Sequence, residues 1–373
     1  LLTESIAELI RERGPLTVAA FMEIALYDRD GGYYARAARR SGRAGDFFTS
    51  VDVGPLFGTL LEIQIAEMAV LVPSALFDLV EAGASDGRLS ADILGSARRR
   101  HPDLYDRMRL HLVEDSPAAR AAQSGTLGDL RDRLASSTAA VPASFEGVLL
   151  ANELLDALPT HQVVMRPEGL REVYVDIGNA GQLITREYPV STPDLIAYFD
   201  RLGVVLEPGW RAEINLGALT WIRDAARRLR RGFVMLIDYG HEAQELFSPT
   251  HASGTLTTFA RHTAAGPESS ADTPPWLLNP GAQDMTAHVD FTSVRAAAEA
   301  AGLTTLGFLD QTYFLLGLLE ASNASDIRDL HDRLALKTLV MPGGLGSTQK
   351  VLILGKGVGH PRLLGCSYRQ RVT

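Results

Sequence analysis

The sequence predicts an α/β fold: a mostly parallel sheet covered by helices on both faces. Three observations carry this expectation. Short apolar runs at 75–80, 110–113, 148–151 and 233–237 lack the alternation of half-exposed strands, as strands buried on both faces do. Helical patterns follow the first two runs, at 88–99 and from Pro117 to Gln123, which is the rhythm of βαβ units. Two more strand-like runs, 303–309 and 350–354, close the pattern.

Ahead of the first strand lies a helical region that runs to Val72 and is broken by a Gly- and Tyr-rich turn at 28–34. Its opening, from Thr3 to Ile10, combines an acidic capping pattern with an amphipathic helix and is unlike a basic secretory segment. The chain starts at Leu1, so an upstream segment is compatible with the numbering. The most apolar helix candidate, 63–72, is interrupted by Gln64 and Glu67 and stopped by Pro73. It falls short of the roughly 20 apolar residues a membrane span needs.

Between the third and fourth strands the pattern changes. Residues 170–177 and 182–188 alternate around the turn Asn179-Ala180-Gly181, which predicts a hairpin with one solvated face. A helical segment comes next at 193–202, and the Pro-, Ser-, Ala- and Gly-rich stretch 263–281 reads as a long loop or lid. The expected organisation is a helical cap at 1–72, a core at 73–169 and 232–357, an inserted hairpin with helices at 170–231, and a tail at 358–373.

Of 373 residues, 46% are apolar and 22% charged, enough for a sizeable core. Cys366 is the single cysteine, which excludes an internal disulfide framework and a cysteine-rich metal site. A cytoplasmic protein is the plain expectation. With 45 acidic against 36 basic residues, the balance does not favour nucleic acid. The clusters Arg98-Arg99-Arg100 and Arg227-Arg228-Leu229-Arg230-Arg231 fall near predicted helix C-termini, where cations favour the dipole. Sequence leaves the oligomeric state open.

The sharpest local feature is the strand–turn–helix Leu79-Val80-Glu81-Ala82-Gly83-Ala84-Ser85-Asp86-Gly87-Arg88. Gly83 and Gly87 permit backbone angles closed to other residues and let a ligand approach the main chain. A turn that accepts pyrophosphate favours neutral or basic surroundings. Here Glu81 ends the strand, Asp86 sits in the turn, and no lysine is near. Such a site suits a cation, and S-adenosylmethionine carries an ammonium and a sulfonium but no phosphate. Glu114 ends the second strand, where an acid can accept hydrogen bonds from ribose hydroxyls. Together these residues favour the methyl donor over NAD.

Several motifs carry a family resemblance. They include Gly14-Pro15-Leu16-Thr17, Gly32-Tyr33-Tyr34, Gly45-Asp46-Phe47-Phe48-Thr49-Ser50 and Glu114-Asp115-Ser116-Pro117. Further along come Asn152-Glu153-Leu154-Leu155-Asp156-Ala157-Leu158-Pro159, Asp238-Tyr239-Gly240 and Asp284-Met285-Thr286-Ala287-His288-Val289-Asp290-Phe291. In this order, over about residues 6–356, the sequence resembles the MidA-like class I methyltransferases, a group that includes an arginine methyltransferase. The resemblance implies a Rossmann-like fold, S-adenosyl-L-methionine as cofactor and arginine as acceptor. It departs from the family at Ser85, which replaces a glycine, at Thr257, and in the length of the 263–281 stretch. These departures bear on substrate identity.

On the acceptor side, Asn152 and Glu153 come directly after the 148–151 strand at the mouth of the expected cleft. A guanidinium offers planar paired donors that match a carboxylate. Glu153 is therefore the candidate that holds it, with Asp156 one turn on as an assistant or simply a helix-start carboxylate. Asp46 and Phe47 are candidates to close over the donor. The resemblance also places His262, Asp284 and His288 near the acceptor, with His288 a candidate base. None of His241, His262 and His288 has a partner at metal-ligand spacing, so no metal is expected. Competing readings are a small-molecule O- or N-methyltransferase and a non-catalytic assembly or binding protein that kept the fold.

Overall fold

Leu79 and Val80 point to opposite faces of one sheet, and both are fully buried. The same alternation recurs at Leu149 and Leu150, Val234 and Met235, and Leu352 and Ile353, with each set divided between two separate cores. Period-two side chains buried on both faces produce a three-layer α/β sandwich. The computed structural model describes residues 2–35, 49–260, 263–267, 273–321, 330–341 and 348–368.

The main sheet contains β1 (Phe77–Ala82), β2 (Met108–Val113), β3 (Leu134–Thr138), β4 (Phe145–Asn152), β5 (Leu229–His241), β6 (Val289–Asp290), β7 (Thr304–Asp310) and β8 (Gln349–Lys356). Its order is β3-β2-β1-β4-β5-β8-β7, with the short β6 beside β5. The pairs β2–β3, β1–β2, β1–β4, β4–β5 and β5–β6 are parallel. Only β8 is reversed, running antiparallel to both β5 and β7. Strand order changes direction between β1 and β4, so the crevice for a ligand opens at their C-terminal ends.

The strands stand close to the expected runs. The first begins at Phe77 rather than residue 75, because its six residues pair in register with Met108–Val113. Arg98, Arg99 and Arg100 occupy the last turn of their helix, as do Arg227 and Arg228 of theirs, whereas Arg230 and Arg231 belong to β5.

The inserted hairpin forms, pairing Gly169–Ile177 with Leu183–Tyr188, but it belongs to a larger unit. Strand His161–Arg166, expected in the core, pairs with it, as does Leu16–Thr17 from the N-terminal region, and Arg211–Ile214 pairs in turn with His161–Arg166. The inserted sheet therefore starts before residue 170. The reason is burial: Val164, Val173 and Val175 pack against Ile6, Phe21 and Met22 in a third core. The described residues of 263–281 include strand Thr263–Ala265 and a short helical turn at Pro275–Leu277, so those parts are not simple loop. Among the described residues no helix is long and apolar enough to cross a membrane.

Candidate active site

The turn after β1 is tied to the end of β2. Gly83 N–H and Ala84 N–H both donate to the Val113 carbonyl, at 2.9 and 3.1 Å. Gly83 (φ 73°), Ser85 (φ 47°) and Gly87 (φ 85°) all adopt left-handed backbone. At Ser85 that conformation carries a side chain where glycine would sit without strain. Its N–H donates to Glu114 Oε2 at 2.9 Å, and Gln123 Nε2 donates to its carbonyl at 2.8 Å.

The next helix, Arg88–Arg100, does not hold its first N–H groups open for a phosphate. Arg88 N–H donates to Asp86 Oδ1 at 3.2 Å, and Ser90 N–H and Oγ both donate to Glu81 Oε2. Two carboxylates thus occupy the place a pyrophosphate would take. Burial pushes the Glu81 carboxyl up to about 8 despite the two Ser90 donors. Burial also raises Glu114, which holds Ser116 N–H at 2.8 Å with its other oxygen.

Opposite this turn, the chain leaves β4 through Asn152 and Glu153. Glu153 is left-handed too (φ 52°), and its N–H donates to the Ile237 carbonyl at 2.8 Å. Asp238 fixes the backbone beyond Glu153, accepting Leu154 N–H at 3.1 Å and Leu155 N–H at 2.7 Å, and it also accepts Tyr239 N–H at 2.9 Å. Burial pushes the Glu153 carboxyl up to about 8, more than the Gln349 amide and the Ser50 backbone pull it down. Asp156 and Asp238 are buried together and both shifted upward. The backbone donors favour charge on Asp238, so Asp156 carries their shared proton.

Between the two turns lies a cavity of about 480 Å³. Glu81, Gly83, Ser85, Glu114, Asn152 and Glu153, all expected at the site, line it. Gly87 stands behind, where a Cβ would meet Leu112 at 3.2 Å. Asp156 and His288 are not on its wall. Asp284 accepts from Tyr34 OH at 2.8 Å. Asp46, Phe47 and His262 lie outside the described residues.

Sequence reasoning missed the aromatic cover. Tyr27, Tyr34 and Trp221 line the cavity, and Tyr27 OH donates to the Ala157 carbonyl at 3.0 Å. In the sequence, Gly32-Tyr33-Tyr34 contributes only to the family resemblance. Also missed was a buried amide network in which Gln349 Nε2 donates to Glu153 Oε1 at 2.8 Å and Ser50 Oγ donates to Gln349 Oε1 at 3.0 Å. Ser50 enters the sequence only as the end of a resemblance motif, and no local pattern marks Gln349.

His288 instead joins His241 and His251, with ring centroids 5.1 and 5.9 Å from it and 4.9 Å between the other two. Burial and its two neighbours push His288 down to about 4, so it is neutral at physiological pH. The expectation of no metal rested on sequence spacing, and folding joins histidines that spacing separates.

The cavity wall is acidic. Glu23, Glu81, Asp86, Glu114, Asp115 and Glu153 line it, and Arg88, the one arginine among its described lining residues, is held by Asp52 at 3.0 Å. Asn152 Oδ1 is buried without a hydrogen-bond partner. Such a wall, with an acceptor awaiting a donor, fits a ligand carrying an ammonium and a sulfonium and no phosphate.

This strand order, with its glycine turn, acid-ended β2 and anionic cleft, defines a class I methyltransferase. Residues 60–309 match the Methyltransf_28 family model of S-adenosyl-L-methionine-dependent methyltransferases, and the chain belongs to that family. S-adenosyl-L-methionine is its cofactor. The chain is 30% identical to the mitochondrial protein arginine methyltransferase NDUFAF7 of Rattus norvegicus, over 93% of this chain and 78% of that one. It is 28% identical to the Drosophila melanogaster homologue, over 96% and 85%. A Burkholderia thailandensis methyltransferase-like crystal structure with bound S-adenosyl-homocysteine is 29% identical, with a TM-score of 0.87 and coverage of 98% and 94%.

Proposed function

We propose that this enzyme methylates a guanidinium nitrogen of arginine, in a protein or in a small guanidine. The observation that carries the reading is Glu153, a carboxylate on the cavity wall whose oxygen is fixed by Gln349 at the end of β4. A guanidinium is charged at every relevant pH and presents paired donors to a carboxylate. Pairing draws its charge toward Glu153 and leaves one nitrogen turned to the donor.

The bound cofactor supplies a methyl carbon activated by its sulfonium. The C–N bond forms as the C–S bond breaks, and the nitrogen then loses one proton. Burial pushes the Glu153 carboxyl up to about 8; an arriving guanidinium favours its carboxylate form, which then accepts the proton the methylated nitrogen releases. Tyr27, Tyr34 and Trp221 keep water from the reacting atoms. Asp156 acts behind the wall through Asp238, which sets the course of the chain after Glu153. The arginine methyltransferase names of the relatives support the same acceptor. With one cysteine in its sequence, the chain suits a thiol-reducing compartment such as the cytoplasm.

The test is calorimetric binding of S-adenosylhomocysteine with and without arginine or an arginine peptide, alongside transfer of an isotopically labelled methyl group. Tighter product binding beside a guanidine and label on an arginine nitrogen support the proposal. Label delivered to a hydroxyl or an amine, with guanidines ignored, overturns it in favour of the small-molecule O- or N-methyltransferase.

A further inference from the structure

Three histidines from separate segments converge at the C-terminal end of β5. His241 ends β5, His251 lies in a short helical turn at Pro249–His251, and His288 immediately precedes β6. One ring nitrogen of each lies within 4.8 Å of those of the other two. All three side chains are half-buried. The backbone fixes two of them firmly: β5 and β6 pair in parallel with Gly240 opposite Val289, and His288 N–H donates to Thr255 Oγ1 at 3.1 Å.

Their hydrogen bonding is incomplete in a specific way. His288 Nδ1 is buried without a hydrogen-bond partner. Buried polar atoms are normally satisfied, so this orphan among three clustered rings calls for a missing ligand. Glu245 Oε1 lies 3.1 Å from His241 Nδ1, a carboxylate behind that ring which leaves its Nε2 available. His251 Nδ1 lies 3.1 Å from the Glu245 carbonyl and donates to it, which leaves Nε2 as the lone-pair atom. A carbonyl behind a ring N–H is the usual support for a metal-binding imidazole.

We propose that His241, His251 and His288 bind a divalent first-row transition metal of the zinc class, in a site distinct from the methyl-donor cavity. Three imidazoles with a fourth, open position match the coordination such ions accept. Glu245 places a carboxylate at the edge of the cluster, and Lys350, whose charge is felt at His241, is itself paired with Asp310 at 2.5 Å. A bound ion would clasp the ends of β5 and β6 to the segment between them.

The experiment uses the full chain stripped with a chelator and titrated with cobalt(II) and with zinc(II). Metal content, the visible absorption of cobalt and S-adenosylhomocysteine binding are all read. The expected result is one ion per chain, with cobalt bands of a low-coordinate nitrogen site. His251→Gln and, separately, His241→Gln should weaken metal binding by at least ~10-fold. Unchanged S-adenosylhomocysteine binding in His251→Gln shows that the variant is folded. A stripped wild-type chain that takes up no stoichiometric ion at micromolar concentrations overturns the proposal. Equal binding by wild type and both variants overturns it as well.

Discussion

Gln349 donates its side-chain amide to Glu153 at 2.8 Å, joining the reversed strand β8 to the turn after β4. The two residues are far apart in sequence, and the amide is itself gripped by Ser50, which Gln311 holds at 3.1 Å. Gln349, Ser50 and Gln311 are fully buried. The orientation of the acceptor-side carboxylate is thus set by polar groups from both ends of the chain.

Glu153→Gln keeps the side-chain shape and removes the charge and the proton-accepting oxygen. Methyl transfer is expected to fall by about 10²–10⁴-fold, while calorimetry finds S-adenosylhomocysteine affinity nearly unchanged. Full activity in the variant would remove Glu153 from the chemistry.

Gln349→Leu leaves Ser50 and Glu153 without their shared partner. A loss of about 1–3 kcal/mol in unfolding free energy is expected. The turnover number should drop roughly 10–100-fold from misplacement of the carboxylate. A change confined to stability would mean that Gln349 supports the fold without positioning Glu153.

Glu114→Ala tests the end of β2. Hydrogen bonds to a charged group contribute about 1.5–3 kcal/mol, so S-adenosylhomocysteine affinity should fall by about 10–100-fold. The acceptor dependence of any remaining activity should stay as in the wild type.

The ligand-free enzyme should lose stability as the medium becomes alkaline. Glu81 and Glu153 each have a folded-state pKa near 8, above their ordinary 4.5. Their protonated forms are favoured in the fold, so this contribution is whole below about pH 4.5 and fades as pH rises through 8. Thermal midpoints between pH 5 and pH 9 should decline, and Glu153→Gln should flatten that decline. A profile that rises over this range would contradict the assignment.

Ser85→Gly relieves a left-handed residue that is not glycine. The gain from strain is partly offset by the greater freedom of glycine in the unfolded chain, leaving up to ~1 kcal/mol of stabilisation. Denaturant melts measure this, and donor binding should persist because the N–H to Glu114 remains.

The parts of this site that are legible in the sequence are those that local chain order brings together. Glu81, Gly83 and Ser85 belong to one strand–turn–helix, and Glu114 and Glu153 end strands whose apolar runs are unmistakable. Tyr27 and Tyr34 are hidden because their place over the cavity depends on how the N-terminal helices dock on the inserted sheet. Strand His161–Arg166 reads as part of the wrong sheet because its apolar residues would suit either core. His251 has no signal at all, since its neighbours in space come from β5 and from the residue before β6. Asp156 is placed on the right turn but faces Asp238 rather than the cavity.

The meeting of Ser50, Glu153 and Gln349 makes the acceptor-side carboxylate a reporter of the whole chain's closure. The nucleoside side rests on neighbouring segments, the turn after β1 and the end of β2, whereas Glu153 depends on β8, which lies between β5 and β7 at the far end of the sequence. A chain cut before Gln349 would keep the residues of the donor turn and lose the side chain that orients Glu153.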